Sequence, residues 1–159
     1  MEIREVIGDL LEGDSKIIVH QVNCMGEMNS GVAKAIRNKY PEVFEQYNRY
    51  IRSHTGRTSL MLGTCLLVPV NDGKIVANIF GQNFFGYDGE RYTSYDAVCE
   101  GLEGLCSLLR EPTTIGFPYK MSSDRGGADW DIILSIIKSV FKNTEHSITI
   151  YKLPQSLWA

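Results

Sequence analysis

A chain of 159 residues with ordinary apolar and charged fractions reads as one globular domain, residues 1–159, large enough to bury a core without a staple. Its net charge of −3, with no cluster of Lys and Arg, excludes an extended nucleic-acid surface but leaves room for a pocket that takes one small anion. The four cysteines and three histidines show no metal-ligand spacing, and no apolar run or leader pattern marks a membrane or secreted chain; the expectation is a cytoplasmic protein with no metal and no cofactor.

Glu2 to Ile7 alternates polar and apolar residues like a half-buried strand, ended by Gly8-Asp9. The run Ile17-Ile18-Val19, continued beyond His20-Gln21 by Val22, predicts a second strand. It closes on Asn23-Cys24 and enters a loop carrying Gly26, before Gly31 to Lys39 reads as a helix. A β-branched run feeding a glycine-containing loop and then a helix presents backbone N–H groups to an anion. The polar end of such a strand would sit at the carboxyl edge of a sheet, where open α/β folds bind ligands. Pro41 opens a second helix, Glu42 to Ser53. Its Val43, Phe44, Tyr47, Tyr50 and Ile51 fall at helical spacing, which favours core over a stacking platform.

His54 to Ser59 reads as a loop. Thr64 to Val70 and Lys74 to Phe80 are strands joined by Asn71-Asp72-Gly73, a hairpin signal because Asp-Gly accommodates the positive φ angles of a tight turn. Gly81 to Arg91 is loop, Thr93 to Leu109 a third helix, and Thr114 to Phe117 a short strand. A second polar loop, Tyr119 to Asp129, leads into a helix over Trp130 to Phe141 and a last strand from Ser147 to Leu153. This alternation predicts a three-layer α/β/α domain around a mixed central sheet.

Together these residues resemble a macrodomain, over essentially the whole chain. The resemblance rests on Gly8-Asp9-Leu10, Val19-His20-Gln21-Val22-Asn23-Cys24 and Gly31-Val32-Ala33. It continues in Pro118-Tyr119-Lys120 leading into Gly126-Gly127-Ala128-Asp129-Trp130, and in Ile148-Thr149-Ile150-Tyr151-Lys152-Leu153. His20 ahead of Asn23-Cys24, and Ile79-Phe80 followed by Phe84-Phe85, are most similar to the branch of yeast-type ADP-ribose 1″-phosphate phosphatases and their bacterial and phage relatives. The partner it implies is a small nucleotide, ADP-ribose or a derivative.

The resemblance also implies site residues. Asp9 matches the carboxylate that accepts a hydrogen bond from the adenine amine, with the Leu10 N–H beside it; an Asp at a strand end equally serves as a turn cap. Asn23 matches the asparagine that reaches the distal ribose, and Gln21 is grouped with it among the ligand-binding residues. Ser30, Gly31 and Val32 match a first phosphate loop; Ser122, Ser123, Asp124, Arg125 and Gly126 occupy a second. Tyr151 and Leu153 each either border the adenine or belong to the core.

Two departures bear on chemistry. Where relatives often carry loop glycines, this chain has Asn29 and Ser122-Ser123-Asp124-Arg125. The seryl hydroxyls and the guanidinium are suited to a phosphate, unless Asp124 and Arg125 pair with each other. No lysine lies between Lys74 and Lys120, where relatives that remove ADP-ribose from protein or DNA place a catalytic amine, so a Schiff-base route is not expected. The resemblance therefore implies hydrolysis of ADP-ribose 1″-phosphate to ADP-ribose and phosphate. His20 is the candidate acid/base, Asp124 the base or water-orienting group, and Asn23 the group that positions the ribose. Periodicity leaves open which face His20 takes, so a buried role within the strand stands beside the catalytic one. The alternatives are a reader or sequesterer of ADP-ribose without turnover, and a hydrolase that frees ADP-ribose from protein or nucleic acid.

Overall fold

The structure, a computed structural model, describes residues 1–86, 88, 90–123 and 126–154. Its strands are β1 (Glu2–Ile7), β2 (Ile17–Asn23), β3 (Cys65–Pro69), β4 (Ile75–Gln82), β5 (Thr114–Pro118) and β6 (Ser147–Lys152). Its helices are α1 (Gly31–Lys39), α2 (Pro41–Arg52), α3 (Tyr95–Leu108) and α4 (Trp130–Phe141), with a 3-10 turn over Thr58–Met61. The strands form one sheet in the order β1-β6-β5-β2-β4-β3. All neighbours are parallel except β3 and β4, so the sheet is mixed, as expected.

Strands inside a parallel sheet are covered on both faces, and β2 is accordingly buried along nearly its whole length, its polar His20 and Asn23 included. Ile18, Val22, Val76 and Phe80 pack against Ile36, Tyr40, Val43 and Tyr47 of α1 and α2. Ile17, Val19, Ala77 and Ile79 pack instead against Val98, Leu102, Ile133, Ile137 and Phe141 of α3 and α4. These are the three expected layers. The aromatic stripe on α2 is core: Val43 and Tyr47 are fully buried, with Phe44, Tyr50 and Ile51 against the same cluster.

Three local details depart from the sequence reading. In the β3–β4 hairpin Val70 and Lys74 pair across Asn71-Asp72-Gly73, and of the Asp-Gly pair only Gly73 takes a positive φ, 87°. That is a three-residue loop of the expected span, with only its last residue left-handed. α3 begins at Tyr95, because Ser94 caps it by accepting from Ala97 N, and Thr93 instead bridges to Gln82. The segment after α2 tightens into a 3-10 turn that buries Met61. Among the described residues no helix is long and apolar enough to cross a membrane.

His20 shares the face of Ile18 and Val22, lies opposite Asn78 on β4, and is 1% exposed. Asn78 donates through Nδ2 to the Leu66 carbonyl at 3.0 Å, so its Oδ1 is the acceptor for His20 Nε2, at 2.6 Å. Among the described residues the imidazole Nδ1 has no partner. Burial drives the pKa down to about 4, against a smaller upward pull from the Asn78 hydrogen bond, so the ring is neutral at pH 7. The folded value lies below the unfolded value of 6.5, so this group's contribution is complete above pH 6.5 and is lost as pH falls towards 4. Compared with His20→Asn, the wild type should lose about 2 kcal/mol more stability between pH 7 and pH 5 in urea unfolding. Equal losses in the two proteins would mean that the imidazole is not held neutral.

Candidate functional site

β2 lies between β5 and β4, and the three run parallel, so Asn23, Pro118 and Gln82 end at one edge of the sheet. From β2 the chain turns to the α1/α2 layer; from β4 and β5 it turns to the α3/α4 layer. Neighbouring strands whose connections part to opposite faces leave a crevice at their carboxyl ends, where α/β sheets bind ligands. β1 and β6 bring Asp9 and Leu153 to the same edge.

The loop after β2 forms the first wall. The Asn23 side chain folds back into it: Oδ1 accepts from Met25 N at 3.0 Å and Glu27 N at 3.3 Å, and Nδ2 donates to the Glu27 carbonyl at 3.0 Å. The Tyr47 hydroxyl donates to the Asn23 backbone and side-chain oxygens, at 2.6 and 2.8 Å, and accepts from Gly26 N at 3.2 Å. Asn23 is thus 9% exposed and shapes the loop. Gly26, at φ 84°, makes the turn that an L side chain would resist. Asn29 ties Glu27 to Arg37, whose guanidinium lies 3.7 Å from the Phe44 ring centre.

The loop ends at the start of α1. Ser30 is the N-cap, extended at φ −148°, and its hydroxyl caps nothing; no acidic residue stands in the first turn. Gly31 is exposed at φ 58°, and Val32 is half-buried against the core. The first N–H groups of a helix have no partner within it. Among the described residues no side chain takes that role, so the positive end of the helix dipole at Ser30 to Val32 carries no side-chain cap.

The loop after β5 forms the facing wall. Lys120 and Ser122 hold left-handed conformations, φ 60° and 69°, without being glycine. Such strain persists only where neighbours enforce it. Ser122 Oγ donates to Gln21 Oε1 at 2.6 Å, and Ser123 Oγ donates to the Met121 carbonyl at 3.3 Å. Both seryl hydroxyls thus have partners within the protein, where the sequence reading expected donors to a phosphate. Gly126 is buried, and its carbonyl accepts from Tyr92 N and Thr93 N. Asp124 and Arg125 lie outside the described residues.

Gln21 joins these walls rather than lining the crevice: Nε2 donates to Gln82 Oε1 at 2.6 Å and to Thr93 Oγ1 at 2.8 Å. At the third part of the edge, Asp9 is half-buried and its Oδ1 accepts from Leu11 N at 2.9 Å, the turn-cap role. Leu10 is core, 5% exposed. Tyr151 is core as well: its hydroxyl is 2.8 Å from Ser15 Oγ, and its ring lies where a Cβ on Gly13 or Gly116 would stand. Leu153 is exposed. His20 lies buried within the sheet, away from this edge, which is the in-strand placement that periodicity left open beside the catalytic one.

The structure adds residues that the sequence reading left out. Tyr47, Thr93 and Gln82 hold the loops, yet Tyr47 is also a core position on a helical stripe, and Thr93 and Gln82 lie where only tertiary contact reveals their role. Among the described residues no three His, Cys, Asp or Glu side chains gather to hold a metal ion. Burial pushes the Cys24 thiol, next to Asn23, up to about 11, so it is protonated at pH 7. A recess of about 300 Å³ lies at the opposite edge, around Glu2, Arg4, Thr114 and Ser147 at the starts of β1, β5 and β6.

Comparison with known proteins adds three kinds of likeness. The family model for the Macro domain matches residues 19–137. An ADP-ribose 1″-phosphate phosphatase of Debaryomyces hansenii is 34% identical over 113 residues, which are 62% of this chain and 63% of that protein. A DNA ADP-ribosyl glycohydrolase of Mycobacterium tuberculosis is 28% identical over 138 residues, 85% of this chain but only 37% of that protein. This chain thus spans less than two thirds of the length of these relatives. The solved macrodomain of Mycobacterium tuberculosis DarG superposes with a TM-score of 0.79 at 24% identity, covering 94% of this chain and 96% of that one, a likeness of fold.

Tyr47→Phe removes the hydroxyl that braces Asn23 and Gly26 while leaving the ring in the core. Urea unfolding should show a loss of about 1–2 kcal/mol, with faster exchange of the Gly26 amide. A variant as stable as the wild type would mean that the hydroxyl does not hold the loop.

Proposed function

We propose, because this chain belongs to the macrodomain family, that its crevice binds ADP-ribose or a close derivative and that its reaction is hydrolysis of ADP-ribose 1″-phosphate to ADP-ribose and phosphate. The observation that carries the binding half is the uncapped start of α1, with no acidic residue in its first turn, at the carboxyl edge of the sheet. A diphosphate would lie on the amides from Ser30 to Val32, facing the loop after β5. Asp9 would use its second carboxylate oxygen for the adenine amine, since the first caps Leu11. The Asn23 loop would border the distal ribose, with Asn23 acting chiefly through the loop shape it holds.

The phosphatase half is supported by the likeness to the Debaryomyces protein. Its chemistry differs from the expectation for His20, which is buried and neutral and would be structural here. Asp124 remains the candidate for orienting the attacking water, on its sequence position alone. The second reading is binding without turnover, favoured by that same withdrawal of His20 from the crevice. Release of ADP-ribose from DNA, the activity named for the mycobacterial relative, would need a route other than a Schiff base after β4. The residue that ends β4 is Gln82, and its amide is already engaged by Gln21 and the Phe84 carbonyl.

Phosphorus NMR of ADP-ribose 1″-phosphate tests the reading. Free phosphate should accumulate equally with wild type and His20→Asn, and at least tenfold more slowly with Asp124→Asn. Ligand signals that broaden without release of phosphate would establish the binding reading instead; unchanged signals would remove ADP-ribose as the ligand. Asp9→Asn keeps the bond to Leu11 N but opposes a donor to the adenine amine. Calorimetry should show ADP-ribose affinity weakened by about tenfold or more at unchanged thermal stability. Unchanged affinity would take Asp9 out of the adenine contact.

A further inference from the structure

The Gln21 side chain bonds three segments around the second loop: the end of β4, the entry of α3 and the loop itself. Its Nε2 donates to Gln82 Oε1 at 2.6 Å and Thr93 Oγ1 at 2.8 Å, and its Oε1 accepts from Ser122 Oγ at 2.6 Å. Both amide protons and an acceptor lone pair are therefore used inside the protein. Two glycines make the space. A Cβ on Gly81 would lie 2.2 Å from Gln21 Oε1, and one on Gly126 would lie 3.0 Å from Nε2 and 2.4 Å from Thr93 Oγ1. Gly81 is also the extra residue where the β2–β4 register slips, Val22 facing Phe80 but Asn23 facing Gln82. A bulge of this kind re-aims the side chains that follow it, here Gln82 towards Gln21.

The partners of Gln21 are bonded to one another. Thr93 Oγ1 donates to the Ser122 carbonyl at 3.1 Å, which also accepts from Ala128 N at 3.0 Å. Tyr92 N and Thr93 N donate to the Gly126 carbonyl at 2.9 and 3.0 Å. The described flanks of the loop, Ser122 and Gly126, are thus fastened to the entry of α3 by these bonds, and the Gln21 amide ties Thr93 and Ser122 together and to Gln82, with Ser122 at a left-handed φ of 69°.

We propose that Gln21 is a positioning residue, a latch that holds the described flanks of the loop after β5, Ser122 and Gly126, in place without touching the ligand. A loop already held in its bound shape gives up less conformational freedom on binding, so the latch raises affinity through geometry alone. That effect on affinity rests on the ADP-ribose reading; the effect on the loop itself does not.

The test uses the whole chain as Gln21→Ala, Ser122→Ala, the double variant and Gly81→Ala. Hydrogen exchange without ligand should accelerate at least tenfold at the Thr93 and Ala128 amides in Gln21→Ala, with the β1–β6 ladder unchanged. Ser122→Ala should show a smaller acceleration, and the double variant no more than Gln21→Ala alone, because the serine acts through the glutamine. Gly81→Ala, which fills the space of the amide while keeping Gln21, should reproduce the loop acceleration. ADP-ribose affinity, by calorimetry, should fall at least tenfold in Gln21→Ala. Unchanged exchange at Thr93 and Ala128, or effects of Gln21→Ala and Ser122→Ala that simply add, would overturn the latch. A wild type that binds no ADP-ribose would overturn the functional reading, and the exchange pattern alone would then decide the latch.

Discussion

β2 runs through the middle of the sheet with helices over both faces, and any polar group on it must find a partner inside the protein, because a buried unpaired group costs about 1–3 kcal/mol. Three polar side chains sit on this strand and meet the demand to different degrees; His20 leaves its Nδ1 without a partner among the described residues. His20 gives its one proton to Asn78 and stays neutral. Gln21 uses both ends of its amide to bind the entry of α3 and the loop after β5. Asn23 folds into the turn that follows it, where Tyr47 of α2 completes its bonds. The shape of the crevice follows from where these groups found their partners.

The fold was legible for the same reason. Apolar runs such as Ile17-Ile18-Val19 and the stripe from Val43 to Ile51 report periodicity, and periodicity decides burial. It resolves less at element ends, where one hydrogen bond shifts a boundary: the Ser94 cap starts α3 at Tyr95 and leaves Thr93 free to bridge Gln82. Site residues were legible as segments. The segments that follow β1, β2 and β5 leave the sheet at one edge. The roles of single side chains were not legible, because a polar residue beside a ligand loop has the same sequence signature whether it faces the ligand or the protein. Gln21, Asn23 and Ser122 all face the protein, and Tyr151, left open between adenine and core, has its hydroxyl on Ser15.

What the inward bonding leaves exposed is backbone. Among the described residues, with the hydroxyls of Ser122 and Ser123 and the Asn23 amide engaged within the protein, the groups left uncapped at this edge are the amides at the start of α1. Recognition by amides suits a ligand with two linked phosphates and depends on loop shape more than on any one side chain, so the residues that hold the loops matter as much as those that line them. It also separates binding from turnover, since none of the loop-holding residues supplies a proton relay.

The most direct test of this account is a titration of the isotope-labelled protein with ADP-ribose, followed through its backbone amide shifts. The account predicts saturable shifts at Ser30, Gly31 and Val32, joined by Asp9 to Leu11 and by the flanks Met121 to Ser123 and Gly126. Shifts confined to the opposite edge, around Glu2, Arg4, Thr114 and Ser147, or no shifts at all, would contradict it.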